Sequence, residues 1–437
     1  MNYNLAQTLF WIFIFLVLAL LPTVIALSGT LPPAREFWVE LGALLGFLGL
    51  AILNLQFVIT GRFRWFANGF GLDNLLQFHK QMGIFALLLV LAHPGILFVA
   101  DPVFLEYLDP RVNFPRAVSL SFVTVAAVVL IASSLWRLTF RLSYEKWRLL
   151  HGVLAFAILV LGLGHVLMVD HYGAPFWKKG AFVAMSGAAM YLVFHSRLVR
   201  PLLMRRKPYR ISEVRSERNQ AWTLVIEPEG HRRMNFRPGQ FVWLTVGDTP
   251  FSLQQHPFSI ASSPRQEKIE LSVKELGDFT DSVREIPPGM RAWLEGPYGS
   301  FYTGREASGL VFIAGGIGIT PIMSHLRTAR EKGSRQPLIL IFGNATWDDV
   351  TFREEIAAME KQIPLKVVHV LEKPPKEWTG ETGFIDRKVL DRHLPENVSE
   401  YEYFVCGPEA MMDLTEPILK EMGIPCRAIH SERFEMV

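Results

Sequence analysis

The sequence predicts a multi-domain protein: a six-helix transmembrane bundle over residues 1–204, an antiparallel β-barrel over 205–308, and an α/β parallel-sheet domain over 309–437. Three observations predict it. Half of the 437 residues are hydrophobic, and the mean hydropathy of +0.24 is high for a soluble chain of this size. Residues 1–200 hold 14 of the 44 Lys/Arg and 8 of the 41 Asp/Glu, so the first part is charge-poor and carries long apolar runs. Past residue 205 the apolar residues come in short alternating stretches, and past 309 in buried-type runs separated by helical ones. A wholly soluble enzyme and a pure membrane bundle are both ruled out.

Six apolar stretches of about 20 residues read as spans: residues 8–27, 37–58, 75–99, 118–135, 149–169 and 182–199. The first is read as a span and not a secretory leader, because no Lys or Arg precedes Arg35 and its apolar run is too long. Positive residues orient the bundle. Arg62, Arg64 and Lys80 follow span two; Arg137, Arg141, Lys146 and Arg148 follow span four; Arg197, Arg200, Arg205, Arg206 and Lys207 follow span six. The opposite connections mix signs, with Asp101, Glu106 and Asp109 against Arg111 and Arg116, and Asp170 against Lys178 and Lys179. An integral protein of the cell (plasma) membrane with both termini cytoplasmic is expected. The net charge of +3 and the lack of basic runs interleaved with aromatics exclude nucleic acid as a partner. Two cysteines, Cys406 and Cys426, fit a reducing compartment and not a disulfide framework.

Histidine inside a span is costly and asks for a partner. Span three carries His79 and His93, fourteen residues apart, and span five carries His151 and His165 with the same offset. Fourteen residues fall about 40° short of four full turns, so each pair shares a helix face, roughly 21 Å apart along it. Spans three and five run in the same direction, so His79 would meet His151 near the cytoplasmic side and His93 would meet His165 near the outer side. Two neutral imidazoles from facing helices are the axial ligands of a b-type haem, which makes two haems the expected metal cofactors. Gly83 and Gly162 lie on the faces that must clear a flat macrocycle, and Lys80 and Arg148 are placed to meet inner propionates. His171 could face a substrate of the outer haem, whereas His195 reads as interfacial.

Past the basic linker, residues 221–226, 240–246 and 268–273 read as strands of the barrel, one of them fed by the turn Phe236-Arg-Pro-Gly-Gln-Phe241. From Gly309 the strands 310–314, 338–342, 365–370 and 403–406 alternate with helical segments, the pattern of a parallel sheet. Gly315, Gly316 and Gly318 follow the first of these and precede a helix, where backbone can approach a pyrophosphate. By itself that turn is a weak nucleotide signal.

Taken together, these motifs resemble known ones. Residues 209–437 resemble the ferredoxin-NADP reductase family, and the whole chain resembles the transmembrane NADPH oxidase/ferric reductase superfamily. His256-Pro257-Phe258-Ser259 matches the flavin motif in its oxidase form, with His in place of the Arg of soluble reductases. The resemblance implies that Phe258 flanks the flavin ring and Ser259 bonds near its N5. It implies that Lys274, Gly277 and Thr280 belong to the segment holding the FAD pyrophosphate, and that Gly296 belongs to the turn closing the flavin domain. Gly315, Gly316, Gly318, Thr320 and Pro321, with Cys406-Gly407-Pro408, match the nicotinamide-nucleotide motifs. Cys406 is implied beside the nicotinamide, and Phe434 as the aromatic that stacks on the flavin and moves aside for it; these two are the implied catalytic residues. NADPH-specific relatives place a cation after the second strand of this domain; residues 343–349 offer two acids instead, with Arg327, Arg330 or Arg353 as substitutes, so the donor is NADPH or NADH.

Nicotinamide gives two electrons as hydride, haem accepts one at a time, and a flavin does both. The expected activity is transfer of electrons from cytoplasmic NAD(P)H through FAD and two haems to an outer acceptor: dioxygen giving superoxide, a ferric chelate, or a specific partner protein. Four outer cations (Arg111, Arg116, Lys178, Lys179) could draw anions. No EF-hand pattern is present, so constitutive activity and no obligatory protein partner are expected.

Overall fold

The computed structural model describes residues 5–63, 72–302, 304 and 306–433; Arg64 lies outside these. The chain forms two compact units, one of Asn4–Arg62 with Asn74–Val199, the other chiefly Arg200–Val437.

The first unit is helical: α1 (Leu5–Leu27), α2 (Phe37–Ile59), α3 (Leu72–Ala100), α4 (Phe114–Leu135), α5 (Tyr144–Met168) and α6 (Phe176–Phe194). Among the described residues six helices are long and apolar enough to cross a membrane. Side chains such as Phe13, Leu88, Val125 and Val153 stand exposed on their outer faces, which is what lipid solvates and water does not. The chain is an integral membrane protein. Half of the apolar window of α2 is buried, against 17% or less in the other five, so α2 is the packing centre. Small residues let the helices close around it: Leu50 meets Leu159 and Ala189, and Ala126 and Ala127 meet Ile158.

The helices outrun the apolar stretches because polar caps lie beyond them. Asn113 accepts from the Arg116 amide at 3.1 Å and starts α4 at Phe114, with Pro115 in its first turn. Ser143 caps α5 six residues before Leu149. α6 starts at Phe176 and so takes in Lys178, which sequence reading places in an outer loop. Lys178 is buried, and its ammonium donates to the Ala26 carbonyl at the end of α1 (2.7 Å). It is not a surface cation.

The second unit contains two six-stranded sheets. The antiparallel one comprises β1 (Tyr209–Glu217), β2 (Ala221–Pro228), β3 (Phe241–Val246), β4 (His256–Ser259), β5 (Ile269–Lys274) and β6 (Arg291–Tyr298), in the order β4-β3-β6-β1-β2-β5. Asn219 and Gln220, both at positive φ, turn β1 into β2. A bridge between Ile260 and Leu271 joins the two outer strands, so the sheet curls back on itself around Leu224, Ile226, Val242 and Leu271.

The parallel sheet comprises β7 (Gly309–Gly315), β8 (Leu338–Asn344), β9 (Leu365–Leu371), β10 (Glu381–Thr382), β11 (Tyr401–Cys406) and β12 (Ile429–Glu432), in the order β10-β9-β8-β7-β11-β12. Helices α7 (Ile319–Lys332), α8 (Arg353–Glu360), α9 (Arg387–His393) and α10 (Glu409–Glu421) accompany it. Separate apolar clusters cover its two faces, one through Phe312, Phe342 and Met323, the other through Val311, Ile341 and Leu419. The order reverses between β7 and β11, where a doubly wound sheet opens its binding crevice.

Candidate functional site

In the helical unit, the structure brings His79 to His151 and His93 to His165. Ring centroids are 6.2 Å apart in both pairs, with ring planes 64° and 62° apart. A metal-bound imidazole nitrogen sits about 2.0–2.1 Å from the ion and about 1.1 Å from its ring centre, so two rings on opposite sides of one ion have centres roughly 6.2 Å apart. Both pairs fit that spacing. Among the described residues no group of three or more His, Cys, Asp or Glu is placed to hold a metal ion, which leaves the histidine pairs as the candidates.

One ring of each pair is anchored by the protein. His93 Nδ1 donates to the Gly42 carbonyl at 2.8 Å. A carbonyl only accepts, so the proton is on Nδ1 and the lone pair is on Nε2, the form in which histidine binds metal. A Cβ on Gly46 would come within 2.9 Å of that Nδ1. His151 Nδ1 lies 3.1 Å from the Ser134 hydroxyl, which also accepts from Trp147 Nε1 at 3.4 Å. Gly42, Gly46, Ser134 and Trp147 escape a search for ligands, although the Gly42-x3-Gly46 spacing on span two marks close helix approach.

Beside His93 and His165 lies a cavity of about 570 Å³, lined by Gly46, Leu50, Val90, Leu120 and Gly162, within the range of small-molecule sites. His171 and Tyr172, with Arg35, also line it. The Tyr172 hydroxyl donates to the Glu40 carboxylate, and Arg35 donates to the same group through its amide and Nε. Burial and then the Arg35 charge hold His171 below its ordinary pKa. Of the four expected outer cations, Lys178 is buried, Lys179 pairs with Asp170 at 2.8 Å, and Arg116 covers the Tyr107 ring at 4.0 Å; Arg111 is exposed. His195 sits in a π-helical turn against Tyr191.

In the curled sheet, His256–Ser259 forms β4, paired with Phe241–Leu244 of β3. Phe279 stacks on His256 at 4.1 Å and lies 6.1 Å from Phe258. It therefore ties this motif to the loop holding Lys274, Gly277 and Thr280, a role its place between Gly277 and Thr280 does not announce. The Ser259 hydroxyl is buried and has no hydrogen-bond partner among the described residues, so it is open to a bound group. Thr280 Oγ1 is committed to its own loop, donating to Gly277 O and accepting from the Leu276 amide. Gly296 has φ +154°, and a Cβ there would lie 3.0 Å from Val242.

In the parallel sheet, the turns after β7 and β11 touch backbone to backbone. A Cβ on Gly318 would lie 2.3 Å from Cys406 O, one on Gly407 2.9 Å from Gly315 N, and one on Gly315 2.7 Å from Pro408. Glycine is what lets these turns meet. Thr320 donates to Ile317 O at 2.8 Å, and Pro321 stands in the first turn of α7. Cys406 is buried and Cys426 exposed, neither in a disulfide. Phe434 lies outside the described residues.

One helix face joins the two sheets. On α7, Ser324 donates to Ser262 O at 2.6 Å, Arg327 donates to Ala261 O at 3.0 Å and Glu270 at 2.8 Å, and Glu331 accepts from Ser263. Arg327 also forks onto Glu355 at 2.9 and 2.7 Å. Sequence reading offers Arg327, Arg330 or Arg353 to a phosphate. Arg327 is instead buried in this clamp, Arg330 lies 3.5 Å from Glu355, and Arg353 donates to Trp347 O and covers the Trp347 ring.

Three family models match the chain in order: a ferric reductase like transmembrane component over residues 45–162, an FAD-binding domain over 223–301, and an oxidoreductase NAD-binding domain over 312–416. In kind and order these three matches resemble the architecture of the ferric reductase/NADPH oxidase superfamily. The matched parts are a ferric reductase-like membrane component followed by FAD-binding and oxidoreductase NAD-binding domains. An NADH-cytochrome b5 reductase 2 of Chaetomium globosum is 36% identical over 152 residues, 33% of this chain and 44% of the relative. An NADH-cytochrome b5 reductase 1 of Debaryomyces hansenii is 28% identical over 45% of this chain and 71% of its own length. This chain thus spans under half of the first relative. Among solved structures, the ferredoxin reductase in carbazole 1,9a-dioxygenase covers 52% of this chain and 69% of that one, at 26% identity and TM-score 0.46.

Proposed function

We propose that the protein is a transmembrane NAD(P)H oxidase of the cell membrane, moving electrons from cytoplasmic NAD(P)H to an outer-face acceptor, with dioxygen giving superoxide as the acceptor. The matched histidine pairs carry this reading, since a reductase lacking a membrane relay needs neither. FAD would supply the change from paired to single electrons, and two b-type haems a one-electron relay within the bilayer. His79 and His151 would hold one iron and His93 and His165 the other. Gly83 and Gly162 support the fit: a Cβ on either would meet nothing within 4 Å beyond the backbone of its own helix.

The chain's own residues have the following roles in this reading. Gly42 and Ser134 set the rotation of His93 and His151, holding Nε2 toward the metal. Ser259 offers its unpartnered hydroxyl to the flavin edge, and Phe258 and Phe279 wall that edge from water. Gly315, Gly316 and Gly318 bring backbone amides and the α7 N-terminus to the dinucleotide pyrophosphate, with Thr320, Pro321 and Gly407-Pro408 shaping the crevice. Cys406 would line the nicotinamide side, and Phe434 would cover the flavin. Held between two histidines, each iron would have no protein-free position for an acceptor to ligate, so these residues would favour outer-sphere transfer. NADH is favoured over NADPH, because Arg327, Arg330 and Arg353 are already engaged and Asp348 and Asp349 occupy the turn.

Purified protein should show the spectra of two bis-histidine haems, both reduced by NADH. Superoxide-dismutase-sensitive reduction of cytochrome c in air is expected. Reduction of ferric chelate under nitrogen without superoxide in air would move the assignment to a ferric reductase, and a protein without haem spectra would end it.

A further inference from the structure

We propose that Gln56 on α2 accepts the Nδ1 hydrogen of His79, and so orients and tunes the His79/His151 pair; this rests on the haem reading above. Register places it there. A Cβ on Gly42 would meet Leu97 at 2.9 Å, one on Gly46 would meet His93 at 2.9 Å, and one on Gly49 would meet Val90 at 3.2 Å. The two helices therefore run antiparallel, each step of three or four residues along α2 matched by the same step back along α3. Ile52 continues the register against Ala86 and Leu89, with Leu53 and Met82 alongside. One turn further, Gln56 comes level with Gly83. It stands to His79 as Gly42 stands to His93, fourteen residues on along both helices.

The two layers solve one problem differently. At His93 the acceptor is a backbone carbonyl, reached because Gly46 has no side chain. Fourteen residues on, Thr60 occupies the place of Gly46. Its hydroxyl and its amide both donate to the Gln56 carbonyl, at 2.9 and 3.2 Å, so the backbone route is taken. Among the described residues His79 Nδ1 is buried with no hydrogen-bond partner, and so are Gln56 Oε1 and Nε2; Gln56 is 9% exposed. Bulk also changes helix: Gly42 faces Leu97, whereas Gln56 comes level with Gly83. Buried polar groups are almost always paired, and here an unpaired donor and an unpaired acceptor lie one turn apart on one helix pair. An imidazole that gives its second hydrogen to an acceptor becomes a more basic metal ligand, which favours the oxidised iron.

Potentiometric titration of the full-length protein, followed by haem absorption, tests this. Wild type should give two one-electron waves, and the wave that survives in His165→Leu belongs to the His79/His151 pair. Gln56→Met keeps the length, removes the acceptor, and should move that wave to higher potential while the other stays. Gln56→Glu should hold it at or below the wild-type position, and Thr60→Val should leave it there. Loss of that haem from Gln56→Met with retention in Gln56→Glu also supports the assignment. An unmoved wave in Gln56→Met, equal shifts or haem loss in both Gln56 variants, or the same shift from Thr60→Val overturns it. A wild type without two haem waves defeats the haem reading itself, a separate result.

Discussion

Gly46 is small because His93 needs the space. Gly46→Ala should push His93 off the Gly42 carbonyl, and lower the occupancy of one haem or raise its potential. Gly187→Ala is the control, since a Cβ there would meet nothing within 4 Å; haem content per chain and the optical titration check both. The pairing of the four histidines could be read from the sequence because two helices repeat one offset. Their anchors could not: Gly42 acts through its carbonyl, and Ser134 through a hydroxyl seventeen residues from His151, neither leaving a period of its own. Lys178 shows the opposite error. Its charge suggests a loop, but the ammonium of a lysine at a helix start can reach the free carbonyls ending a neighbouring helix, as it does at Ala26. In the nucleotide turn, Gly318→Ala would place a methyl 2.3 Å from Cys406 O. It should raise the Kd for NAD(P)H about tenfold or more, a loss of about 1.4 kcal/mol, without changing haem content.

The helix α7 does more than present its N-terminus. Ser324, Arg327 and Glu331 recur at helical spacing and grip residues 261–263, which directly follow the His256–Ser259 motif. Arg327 is buried and makes four hydrogen bonds, so Arg327→Met leaves Glu270 only its 3.2 Å pair with Arg215 and Glu355 only its 3.5 Å pair with Arg330. The cost expected is about 3–5 kcal/mol of stability in the second unit, read as a lower urea midpoint. Burial alone would raise the Glu355 pKa, but its bonds to Arg327 hold it below the ordinary 4.5. A lowered folded-state pKa gives stability that is present above pH 4.5 and lost as pH falls through the lowered value. Unfolding followed from pH 6 to pH 3 should show that loss, and Glu355→Gln should flatten it. Strands with strong alternation, such as β2 and β5, could be seen in the sequence. β1 could not, because Arg210, Glu213 and Arg215 break its apolar pattern while ion pairs with Glu227 and Glu270 hold it in the sheet.

For the molecule as a whole, charge distribution and apolar run length were enough to set the class: a membrane bundle, then a curled sheet, then a doubly wound one. The donor was not legible, since a turn with two acids excludes little until neighbouring cations are seen to be engaged. With Arg327, Arg330 and Arg353 committed, kcat/KM for NADH should exceed that for NADPH by about tenfold or more, equivalent to about 1.4 kcal/mol in the transition state; steady-state kinetics with both donors check this. The grip of α7 on the strap after β4 has a mechanical consequence. A hinge between the two sheets would have to tear out a buried guanidinium with every turnover, so they behave as one block. Room for an incoming nicotinamide ring must then come from a small, local displacement at the crevice wall, and catalysis should proceed without the sheets parting.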